Sequence, residues 1–137
     1  MLQKLNSRRG GFTLVEIMIV VAIIALLASV AVPNFMRARV RTQATQCKQD
    51  LRILDAAIDQ WAIENNKANG VTPTAENLKA YVKENTAMYI ALAAGSAKDS
   101  LGSTIVIPAV GSPVAVPEAT KTATADLVAP DFWSPYQ

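Results

Sequence analysis

Residues 10–21 read GGFTLVEIMIVV, and one carboxylate, Glu16, lies inside a stretch that is otherwise apolar. From Phe12 to Val32 the polar residues are Thr13, Glu16 and Ser29, and none of them is basic. As a helix this run would extend about 32 Å at roughly 1.5 Å per residue, which is long enough to cross a bilayer. The sequence therefore predicts a membrane-spanning helix with an acidic residue near its start.

Glu16 needs a partner, because a carboxylate inside a membrane helix costs on the order of 2.5–3.5 kcal/mol near the centre and somewhat less near the end. No Lys or Arg in the run can pair with it, so we expect the partner to come from elsewhere. If the chain were cut between Gly11 and Phe12, a new α-amino group would lie four residues before Glu16, near the same helix face. In a stack of such helices, the amine of one copy could meet the carboxylate of the next. Phe12 and Glu16 are then assembly contacts.

Two other interpretations of the apolar run remain. A secretory signal peptide could be cut after Ala31, where Ser29-Val30-Ala31 supplies small residues, although its apolar region is usually only about 7–15 residues long. An uncleaved membrane anchor is the second. Charge does not choose an orientation, because basic residues flank the run on both sides: Lys4, Arg8 and Arg9 before it, Arg37, Arg39 and Arg41 after it.

Gly11 followed by Phe12-Thr13-Leu14-Val15-Glu16, with a short basic segment before it and Pro33 just beyond the apolar helix, resembles the prepilin cleavage and methylation motif. That motif belongs to the type IV pilin superfamily, which includes type II secretion pseudopilins, and the resemblance covers about residues 1–60. It implies that a prepilin peptidase cleaves between Gly11 and Phe12 and methylates the amine of Phe12. It also implies that the amine of a neighbouring copy neutralises Glu16.

The resemblance further implies a single-pass protein of the bacterial inner membrane, with its C-terminal domain in the periplasm, that joins a periplasmic or surface filament. The expected partners are other copies, related minor subunits, the peptidase, an inner-membrane assembly platform and the lipid bilayer, but not nucleic acid. The absence of a C-terminal cysteine pair favours a type II secretion pseudopilin. The alternatives are a type IV pilus subunit for adhesion, motility or DNA uptake, and an anchored extracytoplasmic binding domain that does not polymerise.

The helical pattern continues beyond the membrane segment. Pro33 predicts a kink or a break, since proline removes one helix hydrogen bond. A single apolar stripe at spacings of four and three then predicts an amphipathic helix: Val40, Ala44, Cys47, Leu51, Leu54, Ile58 and Trp61. We expect Cys47 to be a buried apolar group. The turn-forming residues 65–70 predict the end of this helix.

The C-terminal part predicts a small α+β domain. Thr72 and Pro73 would start a second helix that reaches about Asn85 and buries Leu78, Tyr81 and Val82. Segments 103–108 and 113–116 predict a hairpin, 119–128 a helical turn or loop, and the aromatic end 130–136 a segment held on the domain. The expected fold class is α+β, a long N-terminal helix packed on a small domain with a short antiparallel sheet. Its parts are a leader (1–11), a membrane or filament-core helix (12–32), an amphipathic helix (33–66) and a globular region (67–137).

The composition gives catalysis few groups. The 137 residues include no His and one Cys, and the formal net charge is +2. These counts exclude a Cys–His pair, a Ser–His–Asp triad and a zinc cluster of these ligands. Asp55 and Asp59 predict a solvated face rather than an acid–base pair, and the carboxylates of the C-terminal part lack calcium-loop spacing: Glu118, Asp126 and Asp131. For Arg37, Arg39, Arg41 and Lys48 we considered lipid headgroups and DNA, but expect a solvated or subunit-contacting face. We expect no enzyme, no cofactor and no metal.

Overall fold

The computed structural model describes residues 11–137, so the predicted leader lies outside the described residues except for Gly11. The chain divides into two units, with the boundary between Met36 and Arg37. The elements follow in the order α1 (Leu14–Glu64), α2 (Ala75–Lys79), α3 (Ala87–Ala93), β1 (Ala97–Lys98), β2 (Thr104–Ile105) and α4 (Glu118–Thr124). The predicted α+β class, with a long first helix and a short antiparallel sheet, is confirmed.

Helix α1 passes through Pro33 without interruption. The predicted break at Pro33 is therefore wrong, because the proline removes only one backbone hydrogen-bond donor and the helical turns on either side keep their hydrogen bonds. The predicted kink at Pro33 stays a prediction. The helix ends at Glu64, where Asn66 adopts a positive φ of 48°. The N–H of Lys67 donates to the carbonyl of Ala62 at 2.9 Å, and that of Asn66 to the carbonyl of Ile63 at 3.3 Å. This pair of bonds is a Schellman motif, and it confirms that the turn formers end the helix.

The first unit contains the apolar half of α1, and nothing in the described part of that unit covers it. Large apolar side chains are exposed along its whole length, from Phe12 at 83% to Met36 at 63%. By length and composition α1 could cross a membrane, and none of its most apolar window is buried. An apolar surface of this extent in a soluble monomer would be unusual, so the segment requires a lipid or protein environment.

The second unit is built around the predicted stripe of α1. Six of the seven stripe residues are buried, and only Val40 is half-exposed. They form one core with buried apolar side chains from the rest of the unit: Leu78, Val82, Met88, Leu92, Ile105, Val110, Val114, Val116, Trp133 and Tyr136. Fully burying a side chain the size of leucine contributes about 1.5–3 kcal/mol, so this stripe holds α1 on the small domain.

The second helix begins later and ends earlier than predicted, and Thr74 rather than Thr72 is its N-cap. The Thr74 hydroxyl accepts from the N–H of Asn77 at 3.3 Å, and the Asn77 side chain accepts from the N–H of Thr74 at 3.0 Å. Thr72 cannot form this reciprocal pair, because the residue three positions later is Ala75. Leu78 is buried as predicted, while α2 already ends at Lys79.

Thr86 caps the next helix, α3, by accepting from the N–H of Tyr89 at 3.2 Å. This helix occupies an Ala-rich segment, Ala87–Ala93, for which we predicted no element. Of the two further residues expected on the buried side of the second helix, Val82 is buried and Tyr81 is half-buried. Both follow α2 rather than lying in it.

The predicted hairpin is wrong in its pairing. β1 and β2 are antiparallel, with Ala97 opposite Ile105 and Lys98 opposite Thr104. Segment 113–116 is not a strand, although Val114 and Val116 are buried in the core. The connection between β1 and β2 runs over residues 99–103, where we predicted a connection over 109–112, and the side chain of Asp99 closes it.

The C-terminal predictions hold. α4, Glu118–Thr124, covers the first part of segment 119–128, which we expected to be a helical turn or loop, and begins one residue before it. Trp133 and Tyr136 are buried, and the N–H of Val116 donates to the carbonyl of Tyr136 at 2.9 Å. The aromatic end of the chain is therefore held on the domain, as predicted.

Candidate assembly site at the start of the first helix

The peptide bond between Gly11 and Phe12 lies in an exposed, non-helical segment just before α1. Phe12 is 83% exposed, and a Cβ added at Gly11 would meet no atom within 4 Å. Accessible chain outside regular structure is where proteases cut most readily. The described residues therefore leave the predicted cleavage site open to an enzyme.

Glu16 forms a capping box with Thr13 at the first turn of α1. One carboxylate oxygen, Oε2, accepts from the N–H of Thr13 at 2.7 Å and from its hydroxyl at 2.9 Å. The Thr13 hydroxyl in turn accepts from the N–H of Glu16 at 3.2 Å. These contacts satisfy backbone donors that the helix itself leaves unpaired, and they place a negative group at the positive end of the helix dipole.

This geometry corrects our expectation that Glu16 must find its partner outside its own segment. Thr13 is a partner in the same chain, three residues away. The sequence signal was available, because Thr followed three residues later by Glu, ahead of an apolar run, is the capping-box pattern. We considered Glu16 only as a charge in a membrane and missed its role at the helix start.

The capping contacts are compatible with both processing and assembly. They use the N–H of the bond between Phe12 and Thr13, which the predicted cleavage leaves intact. The described residues donate hydrogen bonds to Oε2 of Glu16, and no bond to Oε1 is found among them. A carboxylate has about four acceptor positions, so Oε1 can accept from an amine of another molecule while Oε2 still caps the helix.

The predicted site residues fall into one cluster and one separate position. Gly11, Phe12 and Glu16 lie together at the start of α1, and Thr13 joins them. Pro33 lies about 25 Å further along the helix, at roughly 1.5 Å per residue. The structure does not bring Pro33 into contact with the cluster.

A second polar cluster lies in the core of the second unit, around the buried carboxylate of Asp99. Asp99 accepts from the N–H of Leu101 at 3.0 Å and of Ser103 at 2.8 Å, and the hydroxyl of Thr120 also donates to it. The thiol of Cys47 lies 3.4 Å from Oδ2 of Asp99. The bonds from Leu101 and Ser103 close the turn between β1 and β2, and the contacts of Cys47 and Thr120 join α1 and α4 to that turn, which indicates a structural role.

Cys47 is buried, as predicted. Burial raises the pKa of the Cys47 thiol, and the charge of Asp99 raises it further. A thiol of this kind stays protonated and is a poor nucleophile. In the described part of the chain, no group of three or more His, Cys, Asp or Glu residues could hold a metal ion.

Two of the basic residues hold the C-terminal segment on α1. Nε of Arg41 donates to the carbonyl of Leu127 at 2.9 Å. Nζ of Lys48 donates to the carbonyl of Phe132 at 2.6 Å and lies 5.2 Å from the centroid of its ring. For these two residues the expectation of a solvated or subunit-contacting face is incomplete, because their heads bind the same chain.

Comparison with known proteins agrees with this arrangement. The family described as the prokaryotic N-terminal methylation motif matches residues 6–32. The chain is 34% identical to the type IV major pilin protein PilA of Myxococcus xanthus over 116 residues, which is 80% of this chain and 50% of that protein. It is 37% identical to the type II secretion system core protein G of Pectobacterium carotovorum over 79 residues, which is 58% of this chain and 49% of that protein.

Core protein G of Aeromonas hydrophila is 35% identical over 82 residues, or 60% of this chain and 55% of that protein. The chain thus spans about half the length of the curated relatives it matches. No solved structure matches it. These matches confirm the resemblance to the type IV pilin superfamily: the chain carries a prepilin-type N-terminal methylation motif and is similar to a type IV pilin and to type II secretion core proteins.

Proposed function

We propose that this chain is a structural subunit of a type IV pilus-like filament, of the type II secretion pseudopilin kind, and that it assembles through α1. The observation that carries the proposal is the position of Glu16, at the first turn of an uncovered apolar segment and four residues after Phe12. A membrane anchor needs only the apolar surface. The capping box accounts for Oε2 of Glu16, and Oε1, to which no described residue donates, is left for a positive charge of another molecule.

In this proposal a prepilin peptidase of the inner membrane removes residues 1–11 and methylates the new amine of Phe12. The apolar half of α1 then holds the subunit in the membrane, with the second unit in the periplasm. An inner-membrane assembly platform transfers it, with other copies and related minor subunits, into a periplasmic or surface filament. The exposed apolar side chains from Phe12 to Met36 would be buried against those of neighbouring copies.

The amine of Phe12 in one copy would meet Oε1 of Glu16 in another. Inside an apolar bundle an unpaired charge of either sign is strongly unfavourable, whereas an ion pair with additional hydrogen bonds is tolerated. Thr13 supplies those additional bonds to the carboxylate. A copy that is out of register would leave both charges unpaired, so the pair would select one register between neighbouring helices.

The proposed role is structural rather than enzymatic. The described polar clusters, at the helix start and around Asp99, are occupied by hydrogen bonds that cap a helix or close a turn. The one thiol is buried and stays protonated. These features support a subunit that acts by packing.

A type IV pilus subunit is the second candidate. The similarity to the type IV major pilin of Myxococcus xanthus covers 80% of this chain, whereas the similarity to core protein G of Pectobacterium carotovorum covers 58%. The greater length of the match to the type IV major pilin is the observation that supports this second candidate. The two candidates share processing and assembly through α1, and they differ in the machine that the filament serves.

The test combines processing and assembly in the native host. Intact mass of protein from native membranes should show a chain that begins at Phe12 and carries one added methyl group. Glu16→Ala should insert into the membrane but be absent from sheared filaments. Ser29→Ala is the matched control, because Ser29 is also polar and lies in the same apolar half, and among the described residues its hydroxyl donates only within its own helix, to the carbonyl of Leu26.

An uncleaved chain, or one that begins at Val32, would contradict the proposal and support an anchored binding domain or an exported protein. Normal filaments made from Glu16→Ala would remove the argument from the Phe12–Glu16 pair.

A further inference from the structure

Arg37 and Arg39 follow the apolar half of α1 directly, and both are exposed. Within the described residues neither lies within salt-bridge distance of a carboxylate. The sequence contains no Asp or Glu between Glu16 and Asp50, so no acidic residue on this stretch of helix could neutralise them. Two exposed guanidinium groups, those of Arg37 and Arg39, therefore lie at the level where the apolar surface ends.

The spacing of these arginines indicates the shape of their partner. Residues two apart on an α-helix point to nearly opposite sides, because each residue turns the helix by about 100°. Arg37 and Arg39 thus present charge on both sides of α1 rather than along one stripe. A protein partner on one face could use only one of them, whereas a layer that surrounds the helix could use both.

The position of Arg37 and Arg39 along the chain indicates that the surrounding layer is the headgroup region of a bilayer. The proposed cleavage removes Lys4, Arg8 and Arg9, after which Arg37 is the first basic residue of the chain. An uncovered apolar helical segment followed by two exposed arginines fits a bilayer whose headgroups lie at the level of the guanidinium groups. The planar guanidinium fork matches two oxygens of a phosphate group. In phosphatidylcholine the choline cation offsets the phosphate charge, whereas an anionic phospholipid keeps its net negative charge, so the arginines should prefer anionic lipid.

We propose that Arg37 and Arg39 bind the phosphates of anionic phospholipids, so that the membrane-held chain gathers such lipids around the end of its apolar helix. The inference rests on the proposed function only in requiring that α1 holds the chain in a membrane. Arg41 contributes less, because its Nε already donates to the carbonyl of Leu127. Each basic residue near an anionic surface contributes enough to change lipid binding about fivefold.

The experiment counts lipids bound to single copies. The full chain is placed in nanodiscs made of equal parts phosphatidylcholine and phosphatidylglycerol. It is then released from the nanodiscs, and native mass spectrometry measures the mass of the chain together with the lipids it retains. We expect the wild type to retain phosphatidylglycerol over phosphatidylcholine by roughly 5–30-fold. Arg37→Gln combined with Arg39→Gln should bring the ratio close to one.

The matched control is Arg52→Gln combined with Lys83→Gln, which removes the same charge from two exposed positions of the second unit. It should keep the wild-type ratio. Equal retention of both lipids by the wild type, or an unchanged ratio in the arginine double variant, would overturn the proposal.

Two further measurements distinguish lipid from other ligands of the arginines, namely a free phosphate ion and another copy of the chain. If millimolar inorganic phosphate abolishes the preference while chloride at equal ionic strength does not, the arginines form an ion site rather than a lipid contact, and the proposal fails. The proposal also fails if Arg37→Gln combined with Arg39→Gln retains the wild-type lipids but no longer cross-links to other copies, because the arginines would then bind another copy rather than lipid. Filament assembly plays no part in the lipid count, so the Glu16 test and this one fail separately; a chain that does not enter the nanodisc overturns both.

Discussion

The carboxylate of Glu16 accepts two hydrogen bonds from Thr13, at 2.7 Å from its N–H and 2.9 Å from its hydroxyl. The acidic residue that makes the apolar segment unusual therefore also starts the helix. Local capping and pairing between copies do not compete, because capping uses only Oε2. The charge is held in a fixed direction before any neighbour arrives, which reduces the side-chain entropy lost when one does.

Thr13→Val should fray the first turn of α1 without changing its apolar surface. The variant keeps the branched shape but loses the hydroxyl that accepts from the N–H of Glu16 at 3.2 Å. Loss of an N-cap typically costs about 1 kcal/mol. Hydrogen exchange of the first-turn amides in a membrane mimetic should accelerate by roughly fivefold. Thr13→Ser keeps the hydroxyl and should exchange like the wild type; equal protection in Thr13→Val would contradict the capping role.

Gly11→Ala should fold normally and be processed slowly. Among the described residues the added Cβ would meet no atom within 4 Å, so no packing contact there requires glycine. Any effect must arise where the peptidase holds the bond, and one extra methyl group in a closely fitting pocket changes rates by roughly tenfold or more. The ratio of precursor to mature chain on an immunoblot measures it. Gly10→Ala, which leaves the cut bond unchanged, is the control, and an equal slowing of both would argue against selection at Gly11.

Asp99→Ala should strongly destabilise the second unit. The substitution leaves the N–H groups of Leu101 and Ser103 and the hydroxyl of Thr120 without their acceptor. Each unsatisfied buried group costs about 1–3 kcal/mol, so we expect a loss of roughly 3 kcal/mol or more in the free energy of unfolding. Guanidinium unfolding followed by tryptophan fluorescence measures it. Asp131→Ala, at an exposed carboxylate, should change it by less than about 0.5 kcal/mol.

The stability of the second unit should fall in alkaline solution because of Cys47. Burial raises the pKa of its thiol in the folded chain, whereas the unfolded thiol ionises near its ordinary pKa of about 8.5. Below that pH both states keep the proton and the contribution is complete. Above it only the unfolded state loses the proton, so the free energy of unfolding decreases by up to about 1.4 kcal/mol per pH unit.

The measurement compares the wild type with Cys47→Ala at pH 8 and pH 10. The variant lacks the titrating group, and its loss between the two values should be smaller by roughly 1–2 kcal/mol. Groups that are common to both proteins act equally on both and cancel in the comparison. Parallel curves for the two proteins would show that the thiol ionises equally in both states.

The long-range organisation could be predicted because it follows from periodicity. The stripe from Ala44 to Trp61 recurs every three to four residues, and only one face of a helix satisfies that spacing. The turn formers near Asn66 ended the helix as expected, since a positive φ suits asparagine. The apolar periodicity and the turn-forming residues are local features of the sequence, so they predict the helix and its end whatever the helix packs against.

The predictions of the second N-cap and of the strand pairing were wrong because each depends on the contacts of a single side chain. Thr72 and Thr74 are both good N-caps, and only the residue three positions later, Ala75 or Asn77, decides between them. The strand pairing depended on Asp99, whose carboxylate closes a tight turn at Leu101 and Ser103. A buried carboxylate acting as a turn acceptor cannot be distinguished from a solvated one by sequence pattern alone.

The burial of Cys47 has a practical consequence for labelling chemistry. The chain has a single cysteine, and its side chain is fully enclosed in the core. A thiol-reactive spin label or fluorophore should therefore leave the folded wild type unmodified. A cysteine introduced at an exposed position such as Ser112 or Gln137 would become the one reactive site without first removing the native thiol. Distances between neighbouring copies can then be measured on a chain that differs from the natural one at a single surface residue.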